Sequence, residues 1–257
     1  MSVRAIALLA GLVSLSMPSF AAAPSPLNDR SLGADPYDRC LKLVDKSPGT
    51  AFDQAEGWYQ NGGGPAALHC EGLALVQLKR YAEAAGKFEE AARSGAIGSR
   101  DERAALLDQA GNAWLLSGKP DRADEDFSGS LGFAPHDEDT LADRGRARGL
   151  SKNWAGADAD LTAVLAIDPN RADVLVLRAS ARHAEGRKPE ARADIDHALE
   201  IYPDYPEALL ERGAMKAEGG DADGARADWQ EVLSVAAGTG AADEAKVRIQ
   251  ALGNGKR

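Results

Sequence analysis

The sequence predicts an all-α fold of stacked helical hairpins, and three columns of residues at one fixed spacing support this prediction. The first column places a proline at every thirty-fourth residue, at Pro135, Pro169 and Pro203. The second column holds small residues with the same step, at Gly111, Gly145, Ala179 and Gly213. The third column holds Ala123, Ala157, Ala191 and Ala225. Self-similarity at a fixed period of this length indicates a repeat architecture in which each copy is one supersecondary unit.

Each copy divides into two helices. In residues 104–137, four residues follow the i, i+3, i+4, i+7 spacing of one helical face: Leu107, Ala110, Gly111 and Trp114. Gly118 and Pro120 break this helix. A second helix, with Ala123 and Phe127 on its apolar face, ends at Pro135. A single hairpin of this size cannot bury its apolar faces alone, so we expect the copies to stack on one another.

A further copy lies upstream of these four. It matches the same columns through Leu68, Gly72, Ala84 and Phe88. The step from Gly72 to Gly111 is 39 residues rather than 34, and the extra residues fall in the Gly/Ser-containing stretch near 94–103. Loops accept insertions at little cost, so this difference predicts one lengthened loop between two repeats.

A 34-residue helix-turn-helix unit with these columns resembles the tetratricopeptide repeat (TPR). The resemblance covers residues 65–235 and implies a right-handed solenoid of five repeats, at 65–98, 104–137, 138–171, 172–205 and 206–238. It assigns structural positions in the repeats to Gly72, Gly111, Gly145, Ala179, Gly213, Ala84, Ala123, Ala157, Ala191, Ala225, Pro135, Pro169 and Pro203. The tyrosine column of the family holds Leu75, Trp114, Arg148, Arg182 and Lys216 here, and the last three depart from the family pattern.

Segments on both sides complete the predicted arrangement. Residues 1–22 have the pattern of a secretory signal peptide, with Arg4 ahead of the apolar run 5–17; an uncleaved anchor is the alternative. Residues 23–34 are expected to form a disordered lead-in, and 35–64 a degenerate N-terminal helical hairpin. Residues 239–257 are expected to form a capping helix and tail, with Ala245, Val247, Ile249 and Leu252 on an amphipathic helix.

The chain has two cysteines, Cys40 and Cys70. Export places a protein in an oxidising compartment, where two cysteines most simply form one disulfide. Two separately buried thiols are the alternative. The resemblance places the two residues on the first helices of successive hairpins, which are stacked neighbours in a solenoid. A disulfide between them would fix the degenerate hairpin to the array.

Charged residues recur in the same register, and they allow two interpretations. Six cations occupy the first helices: Arg144, Arg178, Arg212, Arg148, Arg182 and Lys216. An aspartate column occupies the second helices: Asp126, Asp160, Asp194 and Asp228. The cations form either a basic stripe for an acidic ligand or a structural ladder with the aspartates, and the ladder is favoured because a buried arginine needs such a partner. The expected pairs are Asp160 with Arg178 and Asp194 with Arg212.

The resemblance also implies a binding surface, because the first helices of TPR proteins line a concave groove that accepts peptides or partner helices. Carried over by register, the groove residues are His69, Leu73, Asp108, Asn112, Leu115, Arg146, Val176, Ser180, His183 and Leu210. Some members of the family hold a peptide carboxylate with several lysines and asparagines. Only Asn112 and Arg146 match those residue types, and Asp108 has the wrong charge, which argues against such a clamp.

The remaining observations favour a binding protein over an enzyme. The sequence lacks common nucleophile, phosphate-loop and zinc motifs, and its four histidines are dispersed, so no catalytic residue, metal or cofactor is expected. The net charge of −10 argues against nucleic acid as a partner. We expect an exported, periplasmic or secreted scaffold that binds an unidentified protein and has no stable membrane insertion after signal cleavage. The alternatives are a self-associating subunit of an envelope complex and an acidic-ligand binder that uses the arginine stripe.

Overall fold

The computed structural model of the chain describes residues 36–95 and 99–254, and every regular element in these residues is a helix. The predicted signal peptide at 1–22 and lead-in at 23–34 lie outside the described residues. The chain divides into two compact units at Ser151 and Lys152. This division falls inside the predicted repeat 138–171, so the two helices of that repeat belong to different units.

The first unit consists of helices that pack in chain order. Its described helices are α1 (Pro36–Val44), α2 (Pro48–Trp58), α3 (Gly64–Gln77), α4 (Tyr81–Arg93), α5 (Arg100–Leu116), α6 (Pro120–Phe133) and α7 (Glu138–Leu150). The segment Tyr59–Gly63 joins α2 to α3 through a kink at Asn61 and Gly62, where the backbone is not helical. Each helix packs against the next one, and α1 also contacts α3 while α5 contacts α7.

The second unit follows the same scheme. Its described helices are α8 (Trp154–Ile167), α9 (Ala172–Ala184), α10 (Lys188–Ile201), α11 (Pro206–Glu218), α12 (Ala222–Val235) and α13 (Gly240–Asn254). Consecutive helices pack together, and α9 also contacts α11, which contacts α13. The predicted all-α fold of stacked helix pairs is therefore confirmed in both units.

A left-handed residue at a fixed repeat position turns the chain from a first helix toward a second one. Gly118, Gly186 and Gly220 hold this position with φ angles of 74°, 82° and 87°. In the two other copies the same position is occupied by Lys79 and Lys152, with φ angles of 59° and 63°. Residues with a Cβ reach this conformation only against steric resistance, so these two turns are strained.

The small residues of the first helices allow close contact with large residues of the second helices. A Cβ added to Gly111 would lie 2.6 Å from Cε1 of Phe127, and Gly72 and Gly213 stand in the same relation to Phe88 and Trp229. In the fourth copy Ala179 takes the glycine position, and the large residue of its partner helix is the smaller Ile195. Both are fully buried. Glycine thus faces an aromatic ring in three copies, and in the fourth copy alanine is accompanied by the smaller isoleucine.

The N-terminal hairpin is tied to the helix that follows it. A disulfide joins Cys40 of α1 to Cys70 of α3, as the sequence predicts, with a Cα–Cα distance of 6.3 Å. Both cysteines are buried. The hydroxyl of Tyr37 and Nδ1 of His69 form a hydrogen bond of 2.6 Å between the same two helices. Covalent and polar contacts therefore hold the degenerate hairpin in place.

Helix α13 covers the end of the second unit through a different face from the one expected. Its buried residues are Ala241, Ala242 and Ala245, whereas Val247 is 65% exposed. The placement of Val247 on the apolar face was wrong, because residues two apart in a helix point to nearly opposite sides. Arg248 completes the contact: its guanidinium donates to the carbonyl oxygen of Leu210 at 3.0 Å and pairs with Glu244 at 2.6 Å.

Candidate functional site

The predicted groove residues all lie on first helices, but most of them have little exposed surface. Those on α3, α5 and α7 are His69, Leu73, Asp108, Asn112, Leu115 and Arg146, and those on α9 and α11 are Val176, Ser180, His183 and Leu210. Asp108, Leu115 and Arg146 are half-buried, and the other seven are buried. The surface that a partner could contact therefore lies mainly on α5 and α7.

The buried histidine of α3 has a structural arrangement. Nε2 of His69 lies 2.7 Å from Oε1 of Gln109, which can only accept, so Nε2 carries the proton and Nδ1 accepts from the hydroxyl of Tyr37. Burial lowers the pKa of His69 to about 4, which keeps the ring neutral at pH 7. Because both ring nitrogens are occupied, His69 joins α1, α3 and α5 and offers no free atom to a ligand.

Polar side chains converge between α5 and α7, and we call Asp108, Asn112, Thr140, Asp143 and Arg146 the α5–α7 polar cluster. One oxygen of Asp108 accepts from the hydroxyl of Thr140 at 3.1 Å, and the other accepts from the amide of Asn112 at 3.2 Å. Burial raises the pKa of Asp108 to about 7, and the nearby negative charge of Asp143 adds to this rise. The carboxyl of Asp108 is thus held by neutral donors.

Two atoms of the α5–α7 polar cluster are buried without a hydrogen-bond partner. They are Oδ1 of Asn112, an acceptor, and Nε of Arg146, a donor. The guanidinium of Arg146 also pairs through Nη1 with Asp143 at 3.1 Å. A buried polar atom without a partner costs about 1–3 kcal/mol. Each such atom needs an explanation, and a ligand that supplies the missing hydrogen-bond partner is one.

The predicted groove residues of the second unit are mostly engaged within the fold. The hydroxyl of Ser180 donates to the carbonyl oxygen of Val176 at 3.1 Å. Nε2 of His183 lies 2.9 Å from Glu218, which also pairs with Lys188 at 3.1 Å. Leu210 is 3% exposed. These contacts stabilise α9 and α11, although Nδ1 of His183 is buried without a hydrogen-bond partner.

The repeated arginines pair with aspartates, but not with the aspartates that the sequence analysis expects. Arg178 binds Asp194 through two hydrogen bonds of 3.0 and 2.8 Å. Arg212 binds Asp228 in the same way, at 3.1 and 2.8 Å. The expected partners, Asp160 for Arg178 and Asp194 for Arg212, were therefore wrong by one repeat. The cation faces the second helix of its own hairpin because it precedes the small residue that contacts that helix.

A second cation, four residues after the first, binds the same aspartate in each of these two hairpins. Arg182 donates to Asp194 at 2.8 Å and also to Asp158 of the preceding hairpin at 2.7 Å. Lys216 pairs with Asp228 at 2.8 Å. Bidentate arginine–carboxylate contacts of this kind, with aspartates about 95% buried, are structural cross-links. The observed pairs support the ladder over a basic stripe.

The first two copies break this charge pattern, which the sequence analysis did not recognise. In the first copy the signs are exchanged: Glu71 takes the arginine position, Lys87 the aspartate position, and their side chains pair at 2.6 Å. In the second copy Asp126 remains, but Ala110 and Trp114 replace the cations. Burial, with the charge of Glu89, raises the pKa of Asp126 to about 7. Aligning the residue before each glycine with the aspartate column would have revealed both changes.

The residues that the structure describes offer neither a metal-binding group nor a membrane-spanning helix. Within 36–95 and 99–254, no group of three or more histidines, cysteines or acidic residues is arranged to hold a metal ion. In the same ranges, no helix has both the length and the apolar character that crossing a membrane requires.

Comparison with known proteins identifies the fold. No protein-family model matches the chain, and no curated protein matches it. Solved structures do match. MamA from Desulfovibrio magneticus RS-1 is 20% identical, with a TM-score of 0.58 over 66% of this chain and 94% of that chain. YrrB, described as a TPR protein with an unusual peptide-binding site, is 19% identical, with a TM-score of 0.60 over 72% and 93%.

Identities this low concern the fold alone. A third structure, of MamA from MSR-1, matches 66% of this chain and 95% of its own chain with a TM-score of 0.53. The 34-residue columns and the consecutive helix pairs agree with these likenesses. The chain therefore has the fold of tetratricopeptide-repeat proteins.

Proposed function

We propose that this chain is a non-enzymatic scaffold of the bacterial periplasm that binds a segment of another protein against its first helices. The observation that carries the proposal is the α5–α7 polar cluster, where Oδ1 of Asn112 and Nε of Arg146 are buried without partners. A peptide supplies both an acceptor and donors along its backbone, so a bound segment would satisfy such atoms. YrrB, which shares the fold, is described by its peptide-binding site.

Two features support an exported location. The buried disulfide between Cys40 and Cys70 is typical of proteins in oxidising compartments. The pattern of residues 1–22 is that of a secretory signal. A reporter enzyme that is active only after export tests this: fusion to residues 1–35 should give activity, and a fusion with the apolar run 5–17 interrupted by charges should give none. Activity of both fusions, or of neither, contradicts export by this segment.

Site-specific photocrosslinking in cells tests the binding function. A photoreactive amino acid replaces Leu115, which is half-buried on α5, and in a matched control it replaces the exposed Glu125 on α6. We expect a discrete crosslinked protein from position 115 and none from position 125. Equal crosslinking from both positions, or none from either, contradicts binding at the first helices. The arginine stripe is not part of the proposal, because Arg178 and Arg212 each bind an aspartate.

A further inference from the structure

We propose that the α5–α7 polar cluster selects a cationic side chain, lysine or arginine, in the segment that binds there. The inference rests on the proposed function, since it specifies the chemistry of the bound segment. Its starting point is that the cluster contains more negative than positive groups. Asp108 and Asp143 supply two carboxyls, and Arg146 supplies one guanidinium, which already pairs with Asp143.

The contacts of Asp108 identify the missing partner. Its two oxygens accept from Thr140 and Asn112, which are neutral. The neighbouring carboxyls of Asp143 and Asp137 add negative potential at this carboxyl. A desolvated carboxylate among other carboxylates is costly until a cation pairs with it. An ammonium or guanidinium from a partner supplies that cation.

Asn112 points to the same ligand independently. The residue is 4% exposed, its amide nitrogen donates to Asp108, and its Oδ1 is buried without a donor. An ammonium carries three N–H donors and a guanidinium five, so either can serve Asp108 and Asn112 together. An apolar side chain would leave Oδ1 unsatisfied, and an acidic one would meet the charge of Asp143. Nε of Arg146 remains available as a donor to a backbone carbonyl of the same segment.

The experiment uses the full-length protein and degenerate short peptides as probes. Three pools differ only in a fixed central residue, which is lysine, norleucine or glutamate, and binding is measured by fluorescence anisotropy at pH 8, where Asp108 is ionised. We expect the lysine pool to bind at least about tenfold more tightly than the norleucine pool, because a charge-assisted hydrogen bond contributes at least that much. The glutamate pool should bind most weakly.

Variants separate the site from nonspecific attraction to an acidic protein. Asp108→Asn should abolish the preference for lysine, and Asn112→Ala should weaken binding of the lysine pool. Asp101→Asn is the matched control, because it removes an exposed carboxylate from the first turn of the same helix. It should leave the preference unchanged. Melting curves verify that each variant is folded. If Asp108→Asn fails to fold, Asn112→Ala, which retains the charge of Asp108, still tests the site.

Each outcome has one interpretation. Binding of all pools with no preference for lysine overturns the inference and leaves peptide binding intact. A preference that Asp101→Asn removes as strongly as Asp108→Asn also overturns it, since the effect then follows net charge. Failure of every pool to bind overturns both the inference and the proposed function. A lysine preference that depends on Asp108 and Asn112 supports both.

Discussion

The contact between Gly111 and Phe127 is expected to make Gly111→Ala destabilising. The added Cβ would lie 2.6, 2.8 and 2.9 Å from three atoms of the Phe127 ring, where ordinary contact begins near 3.4 Å. The ring has no room to withdraw, because Phe127 is fully buried and packs with Ala123 and Ala147. Overpacking of this kind costs about 1–3 kcal/mol. The better helix propensity of alanine offsets about 1 kcal/mol of that cost.

A matched control removes the contribution of helix propensity. Gly86 lies inside α4, and a Cβ added there has no other atom within 4 Å. Gly86→Ala should therefore stabilise the protein by about 0.5–1 kcal/mol. The difference between the two variants in free energy of unfolding, measured by urea titration with circular dichroism, isolates the steric cost, expected at about 1–3 kcal/mol.

The fourth repeat suggests a compensating change. Because Ala179 is accompanied by Ile195 there, Phe127→Ile should create space for an alanine at position 111. The double variant should be more stable than the sum of the two single effects predicts, with a coupling of about 1 kcal/mol or more. The reasoning fails if Gly111→Ala stabilises as much as Gly86→Ala. It also fails if the effects of Gly111→Ala and Phe127→Ile simply add.

Three further changes test other parts of the structure. Lys79→Gly should stabilise the protein by about 1 kcal/mol in urea titration, because it relieves a strained positive φ. Gly118→Lys at the equivalent turn should destabilise the protein by a similar amount, and a change of the same sign in both variants would contradict the strain. Cys40→Ser with Cys70→Ser should cost about 3–4 kcal/mol, because a loop of 30 residues is no longer closed, and an unchanged melting temperature in the variant would contradict this. The native protein should lose stability as pH rises from about 4 to about 7, by about 1 kcal/mol per pH unit or less. Asp126→Asn should abolish this loss. The raised pKa lets the folded state keep a proton that the unfolded state releases, so parallel pH profiles of the two proteins would refute it.

The fold followed from the sequence because it depends on residue size at fixed spacing. A glycine or alanine facing a large residue sets the distance between two helices, and this requirement recurs in every copy, as Gly72, Gly111 and Gly213 illustrate. The disulfide was predictable for a similar reason, since only two cysteines are present. Such features need no knowledge of how side chains extend beyond their Cβ atoms.

The charge pairs depend on exactly that knowledge, which explains why their partners were misassigned. Arg178 and Arg182 are long side chains that can reach aspartates on either of two neighbouring helices. Arg182 contacts both Asp158 and Asp194. The register of a column fixes where such a side chain begins and leaves open where it ends. Similarly, the buried state of Asn112 and His183 depends on how closely successive hairpins pack, which the periodic pattern does not specify.

The departures from the repeat pattern concentrate in the hairpin of α5 and α6, and this distribution favours a binding role for that region. The extra residues before α5 lengthen mainly the helix rather than the predicted loop, since α5 has 17 residues and α7 has 13. Ala110 and Trp114 replace the cations of the repeated column. Asp108 accepts its hydrogen bonds from the neutral Thr140 and Asn112. Burial raises the pKa of the Asp108 and Asp126 carboxyls to about 7. Stability alone would favour an arginine paired with Asp126, as in the Arg–Asp pairs of the later repeats. Proteins tend to forgo such local consistency at functional sites, so this hairpin is where partner contacts should be sought first.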